Sequence, residues 1–149
     1  MSTPGWKELC RRAGLHAPDS FWAASEEEIA ANFNGAGPDT FSLSRWRIVR
    51  AVFGDSDLNA AFRAILTRFL ELFVLAFVIH DWRYANADRT EAGFHAANAE
   101  MLANMAILLE QAFPFRQFWR WADRARWWLR MRLAYRAVES DDGYQAWMD

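Results

Sequence analysis

The apolar segment between residues 65 and 79 constrains the fold of this chain more than any other feature. It contains the unbroken run LFVLAFVI and ends abruptly at the ionisable pair His80 and Asp81. The segment carries Arg68 and Glu71 and is shorter than the roughly 20 apolar residues that a membrane-spanning helix needs. We therefore expect a buried helix in a folded domain. The histidine at its end should have a partner, because buried polar groups are usually hydrogen-bonded.

The spacing of apolar residues predicts helices along most of the sequence. They are short helices over 4–32, one over about 41–54, one over about 58–84, one over about 91–112 and one over about 115–138. Thr90 should cap the helix over about 91–112, and Pro114 should end it. An acidic turn and a short tail are expected after residue 138. No strand or internal repeat is recognisable, so the predicted fold class is all-α.

The composition indicates one folded domain. A chain of 149 residues is long enough for a real core, and an apolar content of 53%, with 9 Trp and 12 Phe, excludes intrinsic disorder. We predict a single domain over 1–149, with an N-terminal helical extension over 1–32. The single cysteine, Cys10, excludes an intrachain disulfide.

The N-terminal sequence MSTPGWKELCRRAG contains no apolar stretch typical of a signal peptide. We expect a soluble chain with peripheral membrane binding. It would be cytoplasmic or delivered by a non-classical route.

The sequence HDWRY (80–84) contains the first candidate site. On a helix, His80 and Tyr84 share a face, whereas Asp81 points about 100° away. A neutral imidazole that an acceptor holds at one nitrogen suits general-base chemistry. The Asp81 carboxylate and backbone carbonyls from the loop NGAGPD (34–39) would form the all-oxygen ligand set that Ca²⁺ prefers. The alternative is that His80 and Asp81 are a solvated or capping pair and that NGAGPD is only a turn.

HDWRY, followed after a turn by AANAEMLANM (96–105), resembles the paired-helix signature of phospholipase A2-like proteins. In that family a helix with HDxxY lies antiparallel to a helix with an A-D-x-x-hydrophobic motif. The small bacterial and phage-encoded members also carry an NG-x-G loop upstream and an Arg/Tyr segment similar to RMRLAYRAVESDDGYQAW (130–147). The resemblance covers about residues 33–147, which would be the phospholipase A2-like core.

The resemblance implies a calcium-dependent phospholipid ester hydrolase. His80 would be the base that activates water for attack on the sn-2 ester, and Tyr84 would support it. Ca²⁺ would bind the phosphate and stabilise the oxyanion. The implied calcium ligands are the Asp81 carboxylate and the backbone carbonyls of Phe33, Gly35 and Gly37.

Three departures from the family pattern bear on activity. The position that holds aspartate in the family aligns with Asn98, whose amide accepts an imidazole N–H but cannot neutralise an imidazolium. Glu91, two helical turns earlier, is a candidate substitute carboxylate. The cysteines that staple the secreted members are missing, and the distance along the chain from Gly35 to His80 is longer than the family's usual spacing.

The segment FPFRQFWRWADRARWWLRMRLAYR (113–136) is the second candidate site. It carries seven arginines and one acid, Asp123, in a chain whose net charge is -2. Tryptophan with arginine is typical of proteins that bind the headgroup region of an anionic bilayer. The predicted membrane-binding residues are Trp119, Arg120, Trp127 and Arg130.

Other interpretations of both sites stay open. The Trp/Arg segment would instead be a core helix whose arginines pair with the acids of SEEE (25–28). We expect no nucleic-acid partner, because one basic helix without a motif is thin support for it. A catalytically silent scaffold that binds a membrane or a protein partner is the alternative to a hydrolase, and Asn98 favours it. A toxin or effector delivered into another cell is a third possibility, on which the sequence is silent.

Overall fold

The computed structural model describes residues 4–33 and 60–149, and every regular element in these ranges is a helix. The all-α prediction is confirmed. The α-helices are α1 (Trp6–Arg12), α2 (Asp19–Ala23), α3 (Glu26–Asn32), α4 (Ala60–Ala85), α5 (Glu91–Ala112), α6 (Trp121–Val138) and α7 (Asp141–Met148), and a 3₁₀ turn, η1, spans Phe118–Arg120. The predicted helix over 41–54 and the loop NGAGPD lie outside the described residues. In the ranges described, no helix is long and apolar enough to cross a membrane.

α4 and α5 form a hairpin at the centre of the domain, and the turn between them is fixed by local hydrogen bonds. The Asp88 carboxylate accepts the N–H and the hydroxyl of Thr90 at 2.9 and 2.8 Å, which lowers the pKa of Asp88. The Thr90 hydroxyl in turn accepts the Gly93 N–H at 3.0 Å. The predicted cap and the predicted bounds of α5 are confirmed, because a threonine at this position satisfies an N–H that the helix cannot.

The core lies between this hairpin and the helices around it. α1 and α3 pack on α4, and α6 packs on α5. Neighbouring helices thus cover α4 on several sides. This explains why apolar side chains surround most of the helix. Phe73 of α4 and Met105 of α5 are fully buried, together with Cys10 of α1. Burial raises the pKa of Cys10 to about 12, so its thiol is unreactive near neutral pH.

Polar contacts join the N-terminal helices to the same core. The fully buried Asn104 of α5 accepts the His16 N–H at 2.8 Å and donates to the His16 carbonyl at 2.7 Å. The Glu26 carboxylate accepts the first free N–H groups of α1, and Glu28 completes a capping box with Ser25. Two of the three acids of SEEE therefore bind backbone groups in the N-terminal helices.

α6 begins later than predicted and buries Trp127, one of the tryptophans predicted to bind a membrane. The segment before α6 is held by a side chain of the helix itself, because the Trp121 indole donates to the Phe115 carbonyl at 2.7 Å. The buried face of α6 consists of Trp127, Met131, Ala134 and Val138. Trp127 is only 7% exposed and stacks over Phe69 at 6.4 Å between centroids. Its assignment to a membrane-binding surface was wrong, because its helical spacing from Met131, Ala134 and Val138 places it in the core.

A turn follows residue 138 as predicted, at Glu139 and Ser140, but the predicted tail is a helix, α7. Ser140 caps α7, and Asp141 and Asp142 lie in its first turn, where acidic side chains favour a helix N-terminus. Trp147 of α7 is 4% exposed and belongs to a second, smaller apolar cluster with Phe94 of α5. α7 thereby covers the end of the hairpin where HDWRY lies.

The neighbouring tryptophans of α6 provide a test of this packing. We expect Trp127→Ala to lower the free energy of unfolding by about 3–5 kcal/mol, because it empties a buried site. Trp128 is 49% exposed, and Trp128→Ala should cost less than about 1 kcal/mol. Urea unfolding followed by circular dichroism measures both, and equal losses in the two variants would contradict the assigned faces of α6.

Candidate functional site

The hairpin encloses a polar cluster of His80, Asn98 and Tyr84. His80, near the end of α4, is 8% exposed, and Asn98 of α5 is fully buried. His80 Nε2 lies 2.8 Å from Asn98 Oδ1, and the Tyr84 hydroxyl lies 3.4 Å from the same oxygen. The His80 and Tyr84 rings are in contact, with 4.5 Å between centroids. The i, i+4 spacing of His80 and Tyr84 thus places both on the face of α4 that meets Asn98.

The contacts of Asn98 fix which nitrogen of His80 donates to it. The Asn98 Nδ2 group donates to the carbonyl oxygen of Val138 at 3.4 Å, and a carbonyl can only accept. Asn98 Oδ1 therefore faces His80 and Tyr84 as an acceptor. The neutral imidazole must then carry its proton on Nε2, which leaves Nδ1 as the nitrogen that accepts a proton.

The junction of α6 and α7 completes the cluster. Besides the Val138 carbonyl, the Gly143 carbonyl accepts the Tyr84 hydroxyl at 3.4 Å. A Cβ atom on Gly143 would lie 1.9 Å from the Val138 carbonyl oxygen, so only glycine allows this approach. Glu139 follows Val138 directly and binds His95 Nδ1 at 2.9 Å, and its negative charge helps to raise the pKa of Tyr84.

Two further residues of HDWRY bind partners outside the cluster. The Arg83 guanidinium forms a two-pronged ion pair with Glu100 of α5, at 3.0 and 2.7 Å, and this contact raises the pKa of Arg83. The Trp82 indole donates to the Ser20 hydroxyl of α2 at 3.1 Å. The motif therefore connects α4 both to α5 and to the N-terminal helices.

The other predicted hydrolase residues are not all brought to the cluster. Glu91 is 77% exposed at the start of α5, where its carboxylate lies 3.7 Å from His95. Asp81 is half-buried on α4, and Phe33 is a buried core residue that contacts the Trp6 ring edge-to-face. Gly35 and Gly37 lie outside the described residues. Among those described, no group of three or more His, Cys, Asp or Glu side chains is arranged to hold a metal ion.

The remaining predicted membrane-binding residues lie just before α6 and in its middle. Trp119, in η1, is 69% exposed. Arg120 and Arg130 are half-buried and lie over the Phe113 and Trp127 rings, with 4.4 and 4.6 Å to the centroids. Partial burial lowers the pKa of Arg130. Trp119 and Arg120 are thus close to the surface, whereas Arg130 spans the edge of the core.

Sequence reasoning missed the groups from the α6–α7 junction: Val138, Glu139, Gly143 and Trp147. Two of them act through backbone carbonyls, which leave no signal in residue type. Ser140 followed by two aspartates was the available signal, because a capping serine with acids after it predicts the start of a helix.

Comparison with known proteins identifies no relative of this chain: no protein-family model matches its sequence, and neither does any curated protein or solved structure. The resemblance to phospholipase A2-like proteins therefore depends on its sequence motifs alone.

Tyr84 should make the stability of the protein depend on pH in the alkaline range. Burial raises its pKa to about 12, against about 10 in an unfolded chain. Between about pH 10 and 12 the folded state therefore keeps the phenol proton that the unfolded state has lost. The contribution of Tyr84 to the free energy of unfolding is full below about pH 10 and falls as the pH rises toward 12. We expect Tyr84→Phe to reduce this fall. Urea unfolding at a series of pH values measures it.

Tyr144→Phe is the matched control, because it removes a hydroxyl from a ring that is 38% exposed. This control should keep the alkaline loss of stability. The account of the cluster is contradicted if the Tyr84 variant loses stability with pH as steeply as the wild type.

Proposed function

We propose that this protein is a phospholipase A2-like ester hydrolase in which His80 is the general base. The observation that supports it is the 2.8 Å contact between His80 Nε2 and Asn98 Oδ1, at the position where the family pattern places its partner carboxylate. Tyr84 approaches the same oxygen from the next turn of α4. A buried, oriented imidazole with an assigned tautomer is what general-base catalysis requires.

The chain's own groups account for one proton transfer. His80 Nδ1 would take a proton from the attacking water while Asn98 holds the ring through Nε2. At Nε2 the imidazolium formed in this way would face the neutral amide of Asn98, where the family pattern has a carboxylate. We therefore expect a slow enzyme, since hydrogen bonds to an ionised acceptor are roughly twice as strong as those between neutral groups.

The proposal includes calcium, which Asp81, Phe33 and the loop NGAGPD would hold. Asp81 would supply a carboxylate and Phe33 a backbone carbonyl at the point where the chain enters the loop NGAGPD. The other proposed carbonyls, from Gly35 and Gly37, belong to that loop. When bound, Ca²⁺ supplies positive charge for a phosphate group and for an oxyanion.

A catalytically silent scaffold is the second candidate function, and the satisfied state of the cluster favours it. Asn98 binds His80 and Tyr84 through its oxygen and Val138 through its nitrogen, as a buried structural amide does. The protein would then act by binding a membrane or a protein partner, with the motif kept for its packing.

Asn98→Asp separates the two candidates. In a hydrolase, a carboxylate at this position would stabilise the imidazolium and raise Ca²⁺-dependent fatty-acid release by between about 10 and 10⁴-fold; the upper figure is the effect of the reverse change in a serine protease. Release from vesicles of phosphatidylglycerol and phosphatidylcholine, with Ca²⁺ or with a chelator, measures it.

Two matched variants control this experiment. His80→Gln keeps a donor toward Asn98 but removes the base, and should abolish release in both the wild type and the Asn98→Asp background. His16→Ala removes an exposed histidine side chain far from the cluster in sequence and should change nothing. Absence of release from the wild type and from folded Asn98→Asp would exclude the hydrolase and leave the scaffold.

A further inference from the structure

The exposed apolar side chains of this protein are concentrated in one segment. Among the described residues, every large hydrophobic side chain classed as exposed lies between Phe115 and Met148. Six of them lie around η1 and on the outer face of α6: Phe115, Phe118, Trp119, Trp121, Trp128 and Leu129. Phe118 and Trp119 are the most exposed, at 68% and 69%. Clustered apolar exposure on this scale marks an interaction site.

Exposed arginines share this surface. Arg116, Arg126 and Arg132 are exposed, and Arg132 lies over the Trp128 ring at 5.8 Å. The acid in the segment, Asp123, lies 3.6 Å from Arg126. We call these three arginines and the six apolar residues the aromatic–arginine surface. It combines positive charge with exposed apolar side chains.

We propose that the aromatic–arginine surface binds the headgroup layer of an anionic phospholipid bilayer. Tryptophan and phenylalanine rings gain by entering the boundary between headgroups and acyl chains, while guanidinium groups bind the phosphates at the same level. The α6 residues of this surface lie on the side away from Trp127 and Val138. The inference therefore goes beyond the proposed hydrolysis and does not depend on it.

Charge complementarity favours a bilayer over a second copy of this chain. A bilayer presents a continuous layer of phosphates to all three arginines, whereas a second copy would have to bring a carboxylate opposite each of them. Several acids of the chain are already engaged within the domain. Glu26 binds backbone N–H groups, Glu100 binds Arg83 and Glu110 binds Arg124. Leu129 also points to lipid, because an aliphatic side chain gains nothing from stacking on nucleic-acid bases.

Vesicle flotation with the full chain tests the proposal. The probes are vesicles of equal parts phosphatidylglycerol and phosphatidylcholine, and vesicles of phosphatidylcholine alone. We expect at least about tenfold stronger binding to the anionic vesicles, weakened by salt, with a blue shift of tryptophan emission. Arg126→Gln with Arg132→Gln should lower affinity about fivefold for each arginine. Trp119→Ser with Leu129→Ser should also lower it.

The matched charge control is Arg11→Gln with Arg12→Gln, which removes two exposed arginines from α1. This control, and the apolar control Met148→Ser, should bind as the wild type does. His80→Gln should also bind normally, so that a failure of hydrolysis is distinguishable from a failure of binding. All replaced surface side chains are exposed, and circular dichroism verifies that the variants fold.

Several outcomes would overturn the proposal. One is that the protein does not bind anionic vesicles. Another is that the α1 control and the arginine variant of the surface lose affinity for these vesicles equally. A dimer in analytical ultracentrifugation that both surface variants dissociate would assign the surface to a second copy. Tighter binding of a single-stranded oligonucleotide than of anionic vesicles would assign it to nucleic acid.

Discussion

The burial of His80 between two apolar helices is the constraint on which the arrangement of this domain depends. An imidazole taken out of water without a partner costs on the order of 1–3 kcal/mol, and Asn98 removes that penalty at 2.8 Å. Asn98 is itself fully buried and needs an acceptor for its amide, which the Val138 carbonyl supplies. Satisfying one buried ring thus fixes the register of α4 against α5 and the position of the end of α6.

The two candidate sites lie on different faces of the same helix, α6. Its inner face, through Trp127 and Val138, belongs to the core and to the polar cluster, while its outer face carries Trp128 and Leu129. A lipid hydrolase would need both faces, and a membrane-binding scaffold would need only the outer one.

Much of the fold could be predicted from the sequence, because local signals agree with it. Thr90 marks the start of α5, and the spacing of apolar residues gives its length. The contact of His80 with Asn98 followed from aligning two motifs on adjacent helices. These features depend on short-range spacing, which a sequence displays directly.

The errors arose where the sequence pattern is ambiguous. Trp127 and Trp128 are adjacent and identical, and α6 has aromatic residues all round, so composition does not say which ring is buried. The Arg83–Glu100 ion pair and the Asn104 bridge to His16 join residues whose proximity follows only from the packed helices. The Gly35 and Gly37 carbonyls belong to a segment that the structure does not describe, and their role stays a proposal.

The protonation of His80 is the most direct test of this account. Nitrogen-15 NMR of the imidazole at neutral pH distinguishes the two tautomers and the charged form. We predict that the neutral ring carries its proton on Nε2, that Asn98→Ala shifts its resonances, and that the exposed His16 does not share them. A proton on Nδ1, or a signal that the Asn98 variant leaves unchanged, would contradict it.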